Sequence, residues 1–81
     1  MMKVSVFITT YNQDLFIGAA LDSLLMQQTH FDYEIVVAED CSTDRTRAIV
    51  IDYANRFPDK IRPLLNERNI GFTQNFKQLV I

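Results

Sequence analysis

Three short apolar runs alternate with three amphipathic stripes along this chain, and that alternation constrains its fold more than any other feature. Val4, Val6 and Ile8 interleave with Ser5, Phe7 and Thr9. Because Phe7 makes the second face apolar too, the run predicts a strand covered on both sides, at a sheet centre. After the polar turn at residues 10–14, Ile17, Ala20, Leu21, Leu24 and Leu25 recur at helical spacing up to about Gln28. Tyr33 to Glu39 is a second, β-branched run that predicts another buried strand. Ser42, Thr43 and Asp44 then offer N-cap oxygens before the stripe Ile49, Val50, Tyr53, Ala54 and Phe57, which Pro58 stops. A third run, Ile61 to Leu65, contains Pro63, whose missing N–H places that strand at a sheet edge. The loop at 66–71 leads to a last stripe, Phe72, Phe76, Leu79 and Val80, predicting a helix from near Thr73. The expected class is therefore α/β: a three-layer, Rossmann-like parallel sheet in the order β-α-β-α-β-α, joined by right-handed crossovers.

Composition bounds what such a fold can do. With 81 residues, 48% hydrophobic and 22% charged, the chain supports one compact domain and no second one. Eight Lys plus Arg against ten Asp plus Glu give a net charge of −2, and the charges are scattered, which argues against nucleic acid or acidic membranes as partners. Cys41 is the single cysteine, so an internal disulfide or a paired-cysteine metal clip is excluded and a reducing, cytoplasmic location is expected. The apolar start is cut short at Thr9 and Thr10, and no stretch reaches the ~18 apolar residues of a membrane span.

In an open parallel α/β sheet, ligands bind beyond the carboxyl ends of the strands. Two clusters fall there: Thr9-Thr10-Tyr11-Asn12 after strand one, and Glu39-Asp40-Cys41-Ser42 after strand two. The first supplies hydroxyls, an aromatic face and an amide, suited to a flat polar ring. The second supplies two carboxylates that, as successive residues, point in different directions, so one faces the crevice and the other is solvated or salt-bridged. Plainer roles stand beside these: helix capping for Ser42 and Asp44, core cover for Tyr11, a turn position for Cys41 and a surface loop for His30. Gly18 and Gly71 are the only glycines, which rules out a P-loop or a Gly-x-Gly-x-x-Gly turn. No Asp-x-Asp, His-x-x-x-His or Cys/His cluster offers a self-contained metal site.

Taken in order, residues 4–12, residues 33–46 and Asn69-Ile70-Gly71 resemble the N-terminal part of a family 2 glycosyltransferase with the GT-A fold, and the resemblance covers the whole chain. It implies transfer of a sugar, generally with inversion, from a UDP- or dTDP-sugar to a glycan or other hydroxyl acceptor, as in polysaccharide biosynthesis. By position, Thr9 and Tyr11, with Asn12 beside them, match residues around the base. Asp40 matches the second acid of a D-D-x-S motif that accepts from the uracil or thymine N–H, whereas Glu39 replaces the commoner first Asp. Asn69, Gly71 and Asn75 resemble a segment that approaches the nucleotide-sugar. The family's Mg²⁺ or Mn²⁺ ligands and its base lie beyond residue 81, so no catalytic or metal residue is assigned. Residues 1–81 are expected to be a truncated nucleotide-sugar-binding half-domain, inactive alone, cytoplasmic or at the inner face of the membrane, and prone to self-association through the free edge of strand one. The rival is a stand-alone or vestigial nucleotide-binding module without catalysis. A phosphoacceptor receiver domain also gathers acids at strand ends, but its later acid and lysine are missing.

Overall fold

The computed structural model describes residues 3–27 and 32–80; His30 and the expected end of the first helix at Gln28 lie outside them. The elements run β1 (Lys3–Thr10), α1 (Ile17–Leu25), β2 (Asp32–Glu39), α2 (Thr46–Arg56), β3 (Ile61–Leu65) and α3 (Gly71–Val80). The three strands form one parallel sheet in the order β1-β2-β3. Strand-helix alternation thus resolves as the pattern predicts, with Pro63 on an edge strand opposite Val37.

Register decides which side chains share a face. Val4 pairs with Tyr33, Val6 with Ile35, Ile8 with Val37 and Thr10 with Glu39. This face meets Ile17 and Leu21 of α1 and Val50 and Tyr53 of α2, and Ile61 closes the cluster. Burying a large aliphatic side chain contributes about 1.5–3 kcal/mol, so this layer supplies most of the stability. The Tyr53 hydroxyl pins the two helices together by donating to Asp22 Oδ1 at 2.7 Å. That carboxylate, with burial, pushes the phenol pKa up.

The opposite face, with Ser5, Phe7 and Thr9 opposite Glu34, Val36 and Ala38, carries α3, which packs on β1 and β2. Two expectations are corrected there. Among the described residues β1 is an edge strand rather than a central one, and Phe7 is 46% exposed. An apolar pattern reports that a face can be covered, not that a neighbour covers it. Helix α3 also starts at Gly71, two residues before Thr73, for a reason given below.

Candidate functional site

Loops after β1 and β2 are zipped together by their own side chains. Ser42 Oγ accepts from the Asn12 amide at 2.9 Å, and Asn12 Oδ1 accepts from the Thr43 amide at 2.9 Å. Thr46 Oγ1 accepts from the Gln13 amide at 2.8 Å. Asp44 accepts from the Thr46 amide and hydroxyl at the start of α2. Partial burial pushes the Asp44 pKa up, but the hydrogen bonds from Thr46, the Asp14 amide and its own amide together outweigh it and hold the carboxyl below its ordinary value. Asp44, one residue ahead of the N-cap Arg45, therefore satisfies the first amide of α2. Ser42 does not; its hydroxyl donates to Glu39.

Asn12 (φ 51°), Cys41 (φ 57°) and Gly71 (φ 83°) all adopt left-handed backbone. They sit at the three loops where strand ends and the start of α3 converge. Asn and Gly tolerate this region readily, while a Cys there stores strain. Each reversal turns the chain sharply back, and Asp40 N closes the gap by donating to Thr10 O at 3.0 Å.

The two consecutive acids at the end of β2, Glu39 in the strand and Asp40 just after it, part ways. Glu39 is fully buried, and its carboxylate accepts from the Ser42 amide at 2.9 Å and from Arg47 Nε at 2.7 Å. It is the salt-bridged member of the pair and is not among the crevice residues. Asp40, 2% exposed, turns toward α3. Its Oδ1 accepts from Asn66 Nδ2 and from the Ile70 amide, and its Oδ2 accepts from the Gly71 amide, each at 2.9 Å. A carboxylate from the loop after β2 thus satisfies amides at the start of α3, which is why that helix begins at Gly71.

Asp40 lies at a crevice of about 510 Å³. Thr9, Thr10, Tyr11 and Gln13 line one wall; Asn69, Gly71, Phe72 and Asn75 line the other. Thr10 Oγ1 donates to Gln13 Oε1 at 3.0 Å, bracing the first wall. Asn69 Nδ2 donates to Asp40 O at 3.2 Å, and Asn75, 2% exposed, donates through Nδ2 to Ala38 O at 2.9 Å. Of the residues named from the sequence, Thr9, Tyr11, Asp40, Asn69, Gly71 and Asn75 come together here. Asn12 does not line the crevice; it braces the loop beneath. Thr10 joins the lining from the cluster named after strand one, Gln13 and Phe72 join it without having been named as ligand candidates, and Asn66 stands behind Asp40. Phe72 fits the helical stripe in the sequence, yet it is exposed and stacks on Phe76 with ring centroids 6.2 Å apart.

The crevice side chains include one carboxylate and no Lys, Arg or His. No group of three His, Cys, Asp or Glu stands together among the described residues. With three N–H donors already on Asp40, these residues do not fit a divalent cation. Such a lining suits a neutral, planar, hydrogen-bonding group, with Tyr11 as an aromatic wall and Asp40 as a fixed acceptor. Among the described residues no helix is long and apolar enough to cross a membrane.

An uncharacterized protein of Mycobacterium tuberculosis is 42% identical over 77 residues, 95% of this chain and 22% of its own length. The poly(ribitol-phosphate) beta-N-acetylglucosaminyltransferase TarS of Staphylococcus aureus is 43% identical over 72 residues, 88% of this chain and 12% of its own. A structure of TarS residues 1–349 in complex with UDP-GlcNAc superposes with a TM-score of 0.72 and 36% identity, over 95% of this chain and 23% of that one. The mannosyltransferase PcManGT of Pyrobaculum calidifontis, solved with GDP-Man and Mn²⁺, superposes with a TM-score of 0.82 and 26% identity, over 95% of this chain and 23% of that one. The chain thus spans less than a quarter of the length of each of these proteins. The sequence pattern of the family described as Glycosyl transferase family 2 matches residues 5–80, and the chain belongs to that family.

Proposed function

We propose that residues 1–81 form a single nucleotide-recognition half-domain of a glycosyltransferase whose donor is a UDP- or dTDP-sugar and whose acceptor is a glycan or other hydroxyl compound. One observation carries this reading: the hydrogen-bonding state of Asp40. An ionised carboxylate offers about four acceptor positions. Two N–H donors fill Oδ1 and one occupies Oδ2, so a single position remains beside the crevice. Uracil and thymine present one imide N–H between two carbonyls, which matches one free acceptor. Guanine presents N1–H and N2–H side by side and needs both carboxylate oxygens, while adenine has no imide donor. The complexes of TarS with UDP-GlcNAc and of PcManGT with GDP-Man support a nucleotide-sugar donor and leave the base to local chemistry of this kind.

In this reading Tyr11 stacks on the base, Thr9 and Asn69 stand at its edges, and Asn12 and Asn75 hold the two walls in place. Transfer is attack by an acceptor hydroxyl on the anomeric carbon as the nucleoside diphosphate departs. The proton-accepting base and any Mg²⁺ or Mn²⁺ ligands are assigned outside residues 1–81, because Asp40 is already committed to its donors. Binding without transfer is the second reading, favoured by a crevice lining without a cationic side chain. The free edge of β1 would pair with a second copy of this chain, since an open row of backbone donors and acceptors complements itself; sedimentation should show association, and a strict monomer at high concentration would refute it.

Titration of the ¹⁵N-labelled chain with UDP, dTDP, GDP and ADP tests the donor assignment. UDP and dTDP should shift the amides of residues 69–71 and of Tyr11, with GDP and ADP far weaker. Absence of any shift with UDP, or equal response to all four, would overturn it. A donor-hydrolysis assay in Mn²⁺ should detect no sugar release by the chain alone, and enzyme-like turnover would place the chemistry inside residues 1–81 after all.

A further inference from the structure

Two aromatic residues border the crevice, and Asp40 ties down both of the segments that carry them. The Asp40 amide donates to Thr10 O at 3.0 Å, and Tyr11 follows Thr10 on the β1 side. Asp40 Oδ2 accepts from the Gly71 amide at 2.9 Å, and Phe72 follows Gly71 on the α3 side. Phe72 is 71% exposed, although its place in the apolar stripe of α3 predicts burial. The reason lies in the helix: Asn75 and Leu79, four residues apart, are the buried side chains, which leaves Phe72 and Phe76 together on a more exposed face. Their rings stack, with centroids 6.2 Å apart and planes inclined by 17°. Phe76 thus supports the Phe72 ring from one side, while the rest of that ring stays wet beside the crevice.

We propose that Phe72 is a second stacking residue of the donor site: the pyrimidine lies between Phe72 and Tyr11 while its imide N–H reaches Asp40. The inference rests on the reading of Asp40 as the base acceptor. One hydrogen bond holds a planar base by an edge and leaves it free to tilt about that bond. An aromatic ring on each face removes the tilt, covers apolar surface and keeps water from the bond. Stacking of this kind tolerates any base, so selection among bases stays with Asp40. The competing use of an exposed aromatic pair is a docking surface for a protein partner. Such a surface would engage Phe72 and Phe76 alike, whereas Phe72 alone of the two lines the crevice.

The test compares binding of UDP and of its 5,6-dihydro derivative to the chain and to Phe72→Ala by ¹⁵N titration. Dihydrouracil keeps the imide N–H, but its ring is puckered and no longer aromatic. The wild-type chain should bind UDP about tenfold more tightly than dihydro-UDP, in the range of base–aromatic stacking. Phe72→Ala should weaken UDP and narrow that ratio, with Tyr11 keeping part of it, and Phe72→Tyr should restore both. A structural role would weaken the two nucleotides alike, and a docking role would leave UDP affinity unchanged. Either result in a folded variant, or equal affinity of the wild-type chain for both nucleotides, would overturn the inference while the donor assignment stands. Failure of the wild-type chain to bind UDP would instead overturn the donor assignment. A further reading needs no variant: in the wild-type complex, the uracil C5 and C6 protons should give nuclear Overhauser contacts to the ring protons of Phe72 as well as Tyr11. Contacts to Tyr11 without any to Phe72 would overturn the inference.

Discussion

Glu39 and Asp40 are consecutive acids, both essentially out of solvent, and they end in two differently built regions. On the α2 side, Glu39 meets a guanidinium, a hydroxyl and an amide, and it does not line the crevice. On the α3 side, Asp40 meets three neutral N–H donors that draw α3 and the loop before it against β2, and one acceptor position remains. Burial alone therefore does not mark a binding carboxylate. What distinguishes the two is that Glu39 is paired with Arg47 away from the crevice, whereas Asp40 meets neutral donors only and lines it.

The largest effect separating the regions should be on stability. Glu39→Gln leaves Arg47 without its counter-ion and should cost about 2–3 kcal/mol, less than the loss of a fully buried pair because Arg47 is one-third exposed. Urea denaturation should show this as a lower midpoint, while UDP affinity per folded molecule stays close to wild type. Next is Asp40: its replacement by Ala or Asn should weaken UDP and dTDP binding by about 1–3 kcal/mol, the cost of a buried imide donor without its acceptor. If calorimetry found Glu39→Gln the more damaging to binding, the assignment of roles would be reversed.

Tyr11, 43% exposed on the crevice wall, gives a smaller effect. Tyr11→Leu should lower nucleotide affinity by about 1 kcal/mol, in the range of base–aromatic stacking, with little change in melting temperature. The reverse pattern, a large fall in melting temperature at constant affinity, would make it a core residue. The smallest effect lies near the amino ends of the strands. The Ser5 hydroxyl and then Arg62 hold the Glu34 carboxyl below its ordinary pKa, and the hydrogen bond from Lys60 does the same for Asp32. A depressed carboxyl pKa contributes stability above the ordinary carboxylate range, about pH 4 to 4.5, that is lost as pH falls below it. Thermal melts of Glu34→Gln should therefore show a weaker acid dependence than wild type, while UDP binding at neutral pH is unchanged.

How much of this the sequence disclosed follows from how local each cause is. Alternating periodicities are local, and they place all six elements, including the edge position of Pro63. Asp40 is legible because a strand end followed by a helix start is where a parallel sheet exposes polar groups. Asn12 sits at a strand end for the same reason, yet it braces the loop rather than lining the crevice, since an amide after a strand suits a loop brace as well as a ligand. Asn66 gives no periodic signal, and the cap on α3 comes from Asp40, thirty-one positions before Gly71. Contacts of that separation are set by tertiary packing, which explains both the late expectation for the start of α3 and the silence about Asn66.

The proposed donor recognition turns on one hydrogen bond, from the imide of a pyrimidine to Asp40. Comparing UDP with its N3-methyl derivative, in which that single N–H is replaced, tests it most directly. The wild-type chain should bind the methylated nucleotide at least about tenfold more weakly, as loss of a hydrogen bond to a charged group implies, whereas Asp40→Ala should not distinguish the two. Equal affinity of the wild-type chain for both nucleotides would contradict the assignment.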